Sequence, residues 1–73
     1  MPRLPILSGR EMVRILSTIG YKEVRRQSSH IRLSHSSKKS ITIPDYKDIG
    51  RGLLRKILRD AEITPQEFEE LLK

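Results

Sequence analysis

Cysteine is absent from the 73 residues of this chain. A protein without cysteine cannot carry a disulfide scaffold, a Cys-ligated zinc ion or a catalytic thiol. Long apolar runs are absent as well, since each uninterrupted hydrophobic stretch covers only a few residues. We therefore expect no membrane-spanning helix and no signal-peptide core, and we predict a cytoplasmic protein.

Signatures of well-known catalytic sites are also missing. The sequence contains no GxSxG elbow, no P-loop, no dinucleotide fingerprint and no paired carboxylates. No repeat or low-complexity segment divides the chain, and its mass of 8.5 kDa is close to the lower limit for a self-sufficient core. The sequence predicts one domain over residues 1–73, with a shallow site near the surface and no cofactor.

Positive charge is what the chain has in excess, with a net charge of +6 and a pI near 10.2. Residues 1–59 contain 14 basic and 4 acidic side chains, a net charge of +10, whereas residues 60–73 contain 1 basic and 5 acidic ones, a net charge of −4. Such a field attracts polyanions and predicts a nucleic-acid partner. The sequence is less consistent with a membrane surface as the partner, because the basic residues are not gathered on one long amphipathic helix.

Helix signals lie at both ends of the chain. After an extended lead-in at Met1–Leu7, a capping box of the form S-x-x-E at Ser8–Glu11 begins a predicted helix over Gly9–Ile19. A second apolar stripe at helical spacing predicts another helix, and a second capping box at Thr64–Glu67 begins a short final one. The second stripe consists of Leu53, Leu54, Ile57, Leu58 and Ala61, opposite Arg51, Arg55, Lys56 and Arg59.

Three strands are predicted between the helices. Tyr21–Gln27 is typical of an edge strand with a wet face, while His30–His35 and Ser40–Ile43 alternate polar and apolar residues, as half-buried strands do. Polar turns at residues 28–29 and 36–39 connect them into an antiparallel sheet. The sequence therefore predicts an α+β fold, a two-layer α-β-β-β-α sandwich with both helices on one sheet face, similar to double-stranded-RNA-binding domains.

Strand parity distinguishes the two histidines. If Ile31 points into the core, His30 and Arg32 point outward on the open sheet face. Imidazole is the commonest acid–base group in enzymes, and guanidinium groups bind phosphates. His35 has the inward parity at a strand end, which favours a structural role. Since the two histidines differ in parity and no Asp or Glu lies between them, no metal site is predicted.

The order of several segments resembles one family, the HicA toxins of HicA–HicB toxin–antitoxin systems, over nearly the whole chain. The family's Gly-Ser-His motif corresponds to Ser28-Ser29-His30. Three positions depart from its usual pattern, with Ser28 for Gly, Leu53 for Thr, and Glu62 where Gly often ends the second helix. The segments that carry the resemblance are Leu4-Pro5, Ser8–Glu11, Ile19–Tyr21, Arg25–His30, Ile41–Pro44, Gly52–Ala61, Ile63-Thr64 and Glu67-Phe68.

The resemblance implies an mRNA interferase, an endoribonuclease that a HicB-like antitoxin inhibits by covering its active face. It places the catalytic histidine on His30, the residue that strand parity had selected. Our hypothesis is metal-independent RNA cleavage in which His30 deprotonates a ribose 2′-OH. The residues expected to bind RNA around it are Arg25, Arg26, Ser28, Ser29, Arg32, Lys38 and Lys39.

Two alternatives remain open at this point. The first is a non-catalytic module that binds RNA with the same basic sheet face, and the second is a domain that only binds other proteins. Both predict no new RNA ends, and they differ in whether RNA is retained at low salt. We expect the free protein to be a monomer, because the sheet and helices leave no long apolar stripe exposed.

Overall fold

A computed structural model describes residues 5–72, so most of the predicted lead-in, residues 1–4, lies outside the described residues. Six elements follow one another in the predicted order of helix, three strands, helix and short helix. Their bounds are α1 Gly9–Ser17, β1 Lys22–Gln27, β2 His30–Ser34, β3 Ile41–Pro44, α2 Arg51–Asp60 and α3 Pro65–Leu71.

Both predicted capping boxes are confirmed. The Ser8 hydroxyl accepts a hydrogen bond from the Glu11 backbone N–H at 3.1 Å, and the Glu11 carboxylate accepts one from the Ser8 N–H at 2.9 Å. Thr64 and Glu67 repeat this exchange at 3.1 and 2.8 Å. The backbone N–H of Ser8 holds the pKa of Glu11 below its ordinary value, and the N–H of Thr64 does the same for Glu67.

The first two helices end with the same hydrogen-bond pattern. After α1, the N–H of Tyr21 bonds to the Leu16 carbonyl and that of Gly20 to the Ser17 carbonyl, both at 3.2 Å. Helix α1 ends at Ser17, two residues before the predicted end, and the chain turns through Gly20 with a φ of 106°. Beyond α2, the N–H of Ile63 bonds to the Leu58 carbonyl at 2.9 Å and that of Glu62 to the Arg59 carbonyl at 3.1 Å. This is a Schellman motif, and Glu62 occupies its left-handed position with a φ of 60°.

The three strands form one antiparallel sheet in the order β1-β2-β3. Across β2 and β3, Ile31 faces Ile43 and Leu33 faces Ile41, and all four side chains are buried on one face. Strand β1 is an edge strand whose residues are all exposed, as predicted, and a bulge at Val24 shifts its register with β2.

The core lies between the buried sheet face and the helices, so the predicted α+β fold with helices on one side of the sheet is confirmed. Helices α1 and α2 both pack on β3, and α3 packs on α2. No helix within residues 5–72 has the length and apolar character needed to cross a bilayer. The core consists of Met12, Ile15, Leu16, Tyr21, Ile31, Leu33, Ile41, Ile43, Ile49, Leu54, Ile57, Leu58, Ala61, Ile63 and Phe68.

Candidate nucleic-acid interface

The open sheet face carries His30. Along β2, exposed His30 and Arg32 alternate with buried Ile31 and Leu33, so the parity predicted from the sequence is the one observed. His30 opens onto a shallow cleft of about 560 Å³ that crosses the three strands. The cleft is lined by Val24, Arg25, Gln27, His30, Arg32 and Thr42.

The strand register places the neighbours of His30. The two-residue turn between β1 and β2 sets Gln27 directly opposite His30 and Arg25 opposite Arg32. On the other side, Thr42 of β3 faces Arg32, and its hydroxyl accepts a hydrogen bond of 3.1 Å from Arg32 Nη1. Directly opposed residues have their Cβ atoms about 5 Å apart, so one cleft holds an imidazole, an amide and two guanidinium groups.

The bulge in β1 adds an apolar wall to this cleft. A bulge sets two residues of one strand against one residue of its partner and disturbs the alternation of side chains. Val24 and Arg25 consequently both line the cleft, and the Val24 side chain is 61% exposed. A ligand in the cleft thus meets one aliphatic surface beside the cationic groups.

No carboxylate lines the cleft, so the guanidinium charges of Arg25 and Arg32 are not neutralised within it. Within residues 5–72, neither ring nitrogen of His30 has a hydrogen-bond partner, and Arg25 has no ion pair. Both ring nitrogens are therefore open to water or to a bound ligand. The same residues contain no cluster of three His, Asp or Glu side chains that could hold a metal ion.

Arg26, also predicted to bind RNA, is not brought into the cleft. Its strand position is opposite buried Ile31, and its Nη1 atom contacts the Asp45 carboxylate at 2.8 Å. A second acidic partner, Glu23, lies 3.7 Å from Nη2. This guanidinium joins β1 to the segment after β3, so its charge is largely paired.

The two predicted serines lie beside His30 in the turn. Ser28 has a φ of 54°, a left-handed conformation that glycine adopts with less strain than serine. The Ser29 carbonyl accepts a hydrogen bond of 2.6 Å from the Asp45 N–H. Ser28, Gln27 and His30 line a second depression at the end of the sheet, so this turn borders the cleft.

Lys38 and Lys39 lie elsewhere, at the end of α2. Lys38 Nζ donates a hydrogen bond of 2.8 Å to the Ala61 carbonyl, and Lys39 Nζ is 3.3 Å from an Asp60 carboxylate oxygen. Both lysines border a depression shared with Arg59, whereas neither lines the His30 cleft. The structure does not bring these two predicted RNA-binding residues together with His30.

His35 has the structural contacts expected of it. Its Nε2–H donates to the Ile19 carbonyl at 2.8 Å, and its Nδ1 accepts from the Ser37 N–H at 3.0 Å. Its ring packs edge-on against Tyr21 with the ring centroids 4.9 Å apart. Because the backbone occupies both ring nitrogens, this histidine joins the end of α1 to the loop after β2.

Three residues of the cleft were not among the predicted site residues. Thr42 could have been found, because it alternates with buried Ile41 and Ile43 and must share the face of His30. Gln27 follows from pairing the strands across a two-residue turn. No signal in the sequence indicates the bulge that brings Val24 to the cleft.

An open basic sheet face, backed by helices on the other side, defines a small α+β domain suited to a polyanionic ligand. The family described as the HicA toxin of bacterial toxin–antitoxin systems matches residues 9–63, which is most of the chain and includes His30. The chain therefore belongs to the HicA toxin family, and membership implies an antitoxin partner. A comparison with curated proteins gave no match.

Proposed function

We propose that this toxin is an endoribonuclease that cleaves mRNA on its open sheet face, with His30 as the catalytic base. The observation that carries the proposal is the exposed imidazole of His30, which has no internal partner among residues 5–72 and lies beside Arg25 and Arg32. Family membership supports a toxic activity, and the cleft supports RNA as its substrate.

The reaction needs one proton acceptor and one site for the negative charge. A neutral ring nitrogen of His30 takes the proton of a ribose 2′-OH, and the oxygen attacks the adjacent phosphorus. The bond from phosphorus to the 5′ oxygen breaks, leaving a 2′,3′-cyclic phosphate and a 5′-hydroxyl end. Arg25 and Arg32 stabilise the charge that grows on the phosphoryl oxygens, and water protonates the leaving oxygen. No metal ion is required in this scheme.

The antitoxin acts on the same face in this proposal. A HicB-like protein that covers the cleft excludes RNA from His30 and screens the two arginines. The acidic chain end, residues 60–73, does not line the cleft through any of its described residues, so it leaves this face free for the partner.

The test is cleavage of a single-stranded mRNA fragment by purified wild type and His30→Ala, each measured with and without EDTA. General acid–base help is worth about 10²- to 10⁴-fold in rate, and we expect the variant to lose that much. Arg14→Ala is the matched control, since Arg14 is an exposed basic residue of α1 outside the cleft. Cleavage by His30→Ala at the wild-type rate would remove His30 from the mechanism, and loss of wild-type activity in EDTA would remove the metal-independent scheme.

A second candidate function is RNA binding without cleavage. It is favoured by one observation: the cleft contains a single titratable acid–base group between the guanidinium groups, with no second group to protonate the leaving oxygen. This function predicts RNA retention that weakens steeply with salt and no new 5′-hydroxyl ends. End-labelling of RNA incubated with the wild type distinguishes the two.

A further inference from the structure

We propose a second polynucleotide-binding surface on the helix layer, which holds the backbone of a single-stranded RNA whose other part lies in the His30 cleft. This helix-side surface consists of Arg55, Lys56 and Arg59 on α2 together with Lys39 of the β2–β3 loop. The proposal deepens the proposed function, because it adds a binding site for a distant part of the same substrate.

Helix geometry gives the surface a regular row of arginines. Arg55 and Arg59 are exposed and one turn apart, on the side of α2 away from the buried residues, and Arg51 precedes them at the same spacing. A spacing of four residues advances about 6 Å along the axis, a distance similar to that between neighbouring phosphates of one strand. Guanidinium groups bind phosphates through two parallel hydrogen bonds.

The local charge balance stays positive. The Asp60 carboxylate contacts Lys56 at 3.2 Å and Lys39 at 3.3 Å, and Glu62 borders the same depression as Arg59. Two carboxylates therefore face four cations on this surface. Within residues 5–72, Arg55 and Arg59 make no hydrogen bond or ion pair, so both are available to a ligand.

The absence of apolar groups favours a phosphate backbone over a protein as the occupant. Protein interfaces have an apolar core rich in aromatic residues. The large apolar side chains exposed within residues 5–72 are Ile6, Val24, Tyr46 and Leu72, and none belongs to the helix-side surface. A ligand here meets charge and hydrogen-bond donors only, which is how proteins hold nucleic-acid backbones.

The two surfaces lie in different layers. The buried side of α2 packs on β3 and α3, whereas the His30 cleft is on the opposite face of the sheet. The described part of the chain measures 34 × 27 × 19 Å. A strand that occupies both surfaces has to pass around an edge of the domain, so a longer RNA reaches both more readily than a short one. Linking two weak sites through one strand raises the overall affinity through effective concentration.

The experiment measures RNA binding with full-length His30→Ala, which keeps the arginines of both surfaces. The RNA is 2′-O-methylated and lacks the attacking hydroxyl, so it is not cleaved through the proposed reaction whether or not His30 is catalytic. Fluorescence anisotropy compares unstructured RNAs of about 5 and about 20 nucleotides. The shorter length is near the lower end of the site sizes of small single-strand-binding domains, about 4–16 nucleotides, and the longer length exceeds their upper end. The test variant adds Arg55→Glu and Arg59→Glu. The control adds Arg14→Glu and Lys47→Glu, an equal change in net charge at exposed positions outside both surfaces. Circular dichroism verifies that each variant is folded.

We expect the test variant to bind the longer RNA about tenfold more weakly than the control, with a salt dependence reduced by about one phosphate contact per arginine. The ratio of the affinities for the longer and the shorter RNA should also be smaller in the test variant than in the control. Equal weakening in test and control variants, or unchanged affinity, would overturn the proposal. So would a variant that keeps RNA affinity and loses only antitoxin binding. None of these outcomes depends on whether His30 is catalytic, because no cleavage is measured.

Discussion

Lys38 Nζ donates a hydrogen bond of 2.8 Å to the Ala61 carbonyl, 23 residues further along the chain. The ammonium group thereby satisfies a carbonyl that helix α2 leaves unpaired at its end, where a positive charge also complements the helix dipole. Burial of the Lys38 side chain is intermediate. The contact fastens the loop between β2 and β3 to the helix layer.

Replacing Lys38 with methionine should lower the free energy of unfolding by about 1–2 kcal/mol, because the Ala61 carbonyl loses its charged donor. Urea denaturation measures the loss. The matched control is Lys39→Met, which removes an ion pair with Asp60 whose lysine is 67% exposed; such pairs contribute at most about 1 kcal/mol. Equal losses of unfolding free energy in the two variants would show that the Lys38–Ala61 hydrogen bond contributes no more to stability than the exposed ion pair of Lys39.

The loop also shows where prediction from the sequence reached its limit. The sequence places Lys38 and Lys39 at the hairpin beside His30, among the residues expected to bind the same RNA. Their actual neighbours are Asp60 and Ala61. Contacts between residues so distant in the chain depend on how the loop packs against α2, and no local pattern records that packing.

Glu62→Gly should stabilise the protein by about 0.5–1 kcal/mol. Glu62 has a φ of 60°, where a Cβ atom is strained and glycine is not, although glycine also increases the entropy of the unfolded chain. The gain appears as a higher midpoint of urea unfolding. Glu62→Ala removes the same carboxylate but keeps the Cβ atom, so a gain as large in that variant would attribute the effect to charge rather than to backbone conformation.

The lowered pKa values of the two capping glutamates, Glu11 and Glu67, explain part of the loss of folding stability that we expect at low pH. Hydrogen bonds from Ser8 and Thr64 hold the pKa values of Glu11 and Glu67 below their ordinary value of 4.5. Their stabilising contribution is therefore complete above about pH 4.5 and is lost as the pH falls through the lowered values. We expect Glu11→Gln/Glu67→Gln to be less stable than wild type at neutral pH and to lose less stability on acidification.

Urea midpoints between about pH 7 and pH 3 measure this difference. The two single variants serve as controls, since the caps lie on separate helices and their effects should add. Asp60 retains a share of the acid sensitivity in all variants, because hydrogen bonds from Lys56 and Lys39 lower its pKa as well. An acid response as steep in the double variant as in wild type would contradict the role given to the capping boxes.

The sheet was predictable because the alternation of polar and apolar residues agrees with its packing. Alternation along β2 assigned Ile31 to the core and His30 to the open face, and both assignments hold in the structure. The capping boxes fixed the starts of α1 and α3 for a similar reason, since each is complete within four residues. Pairing across the two-residue turn at residues 28–29 also sets Arg26 opposite Ile31 and Arg25 opposite Arg32, so Arg26 leaves the cleft while Arg25 remains. Beyond Arg25 the register depends on the bulge at Val24, which no local pattern indicates.

We predict that Thr42 positions Arg32 for the proposed cleavage, because its hydroxyl accepts the 3.1 Å hydrogen bond from Arg32 across β2 and β3. Thr42→Val keeps the shape and removes the acceptor, so kcat should fall roughly tenfold with a smaller change in KM. Thr42→Ser keeps a hydroxyl and should restore most of the activity. Since Thr42 is exposed, unfolding stability should change little in either variant. Equal kcat values for the valine and serine variants would show that Arg32 does not depend on Thr42.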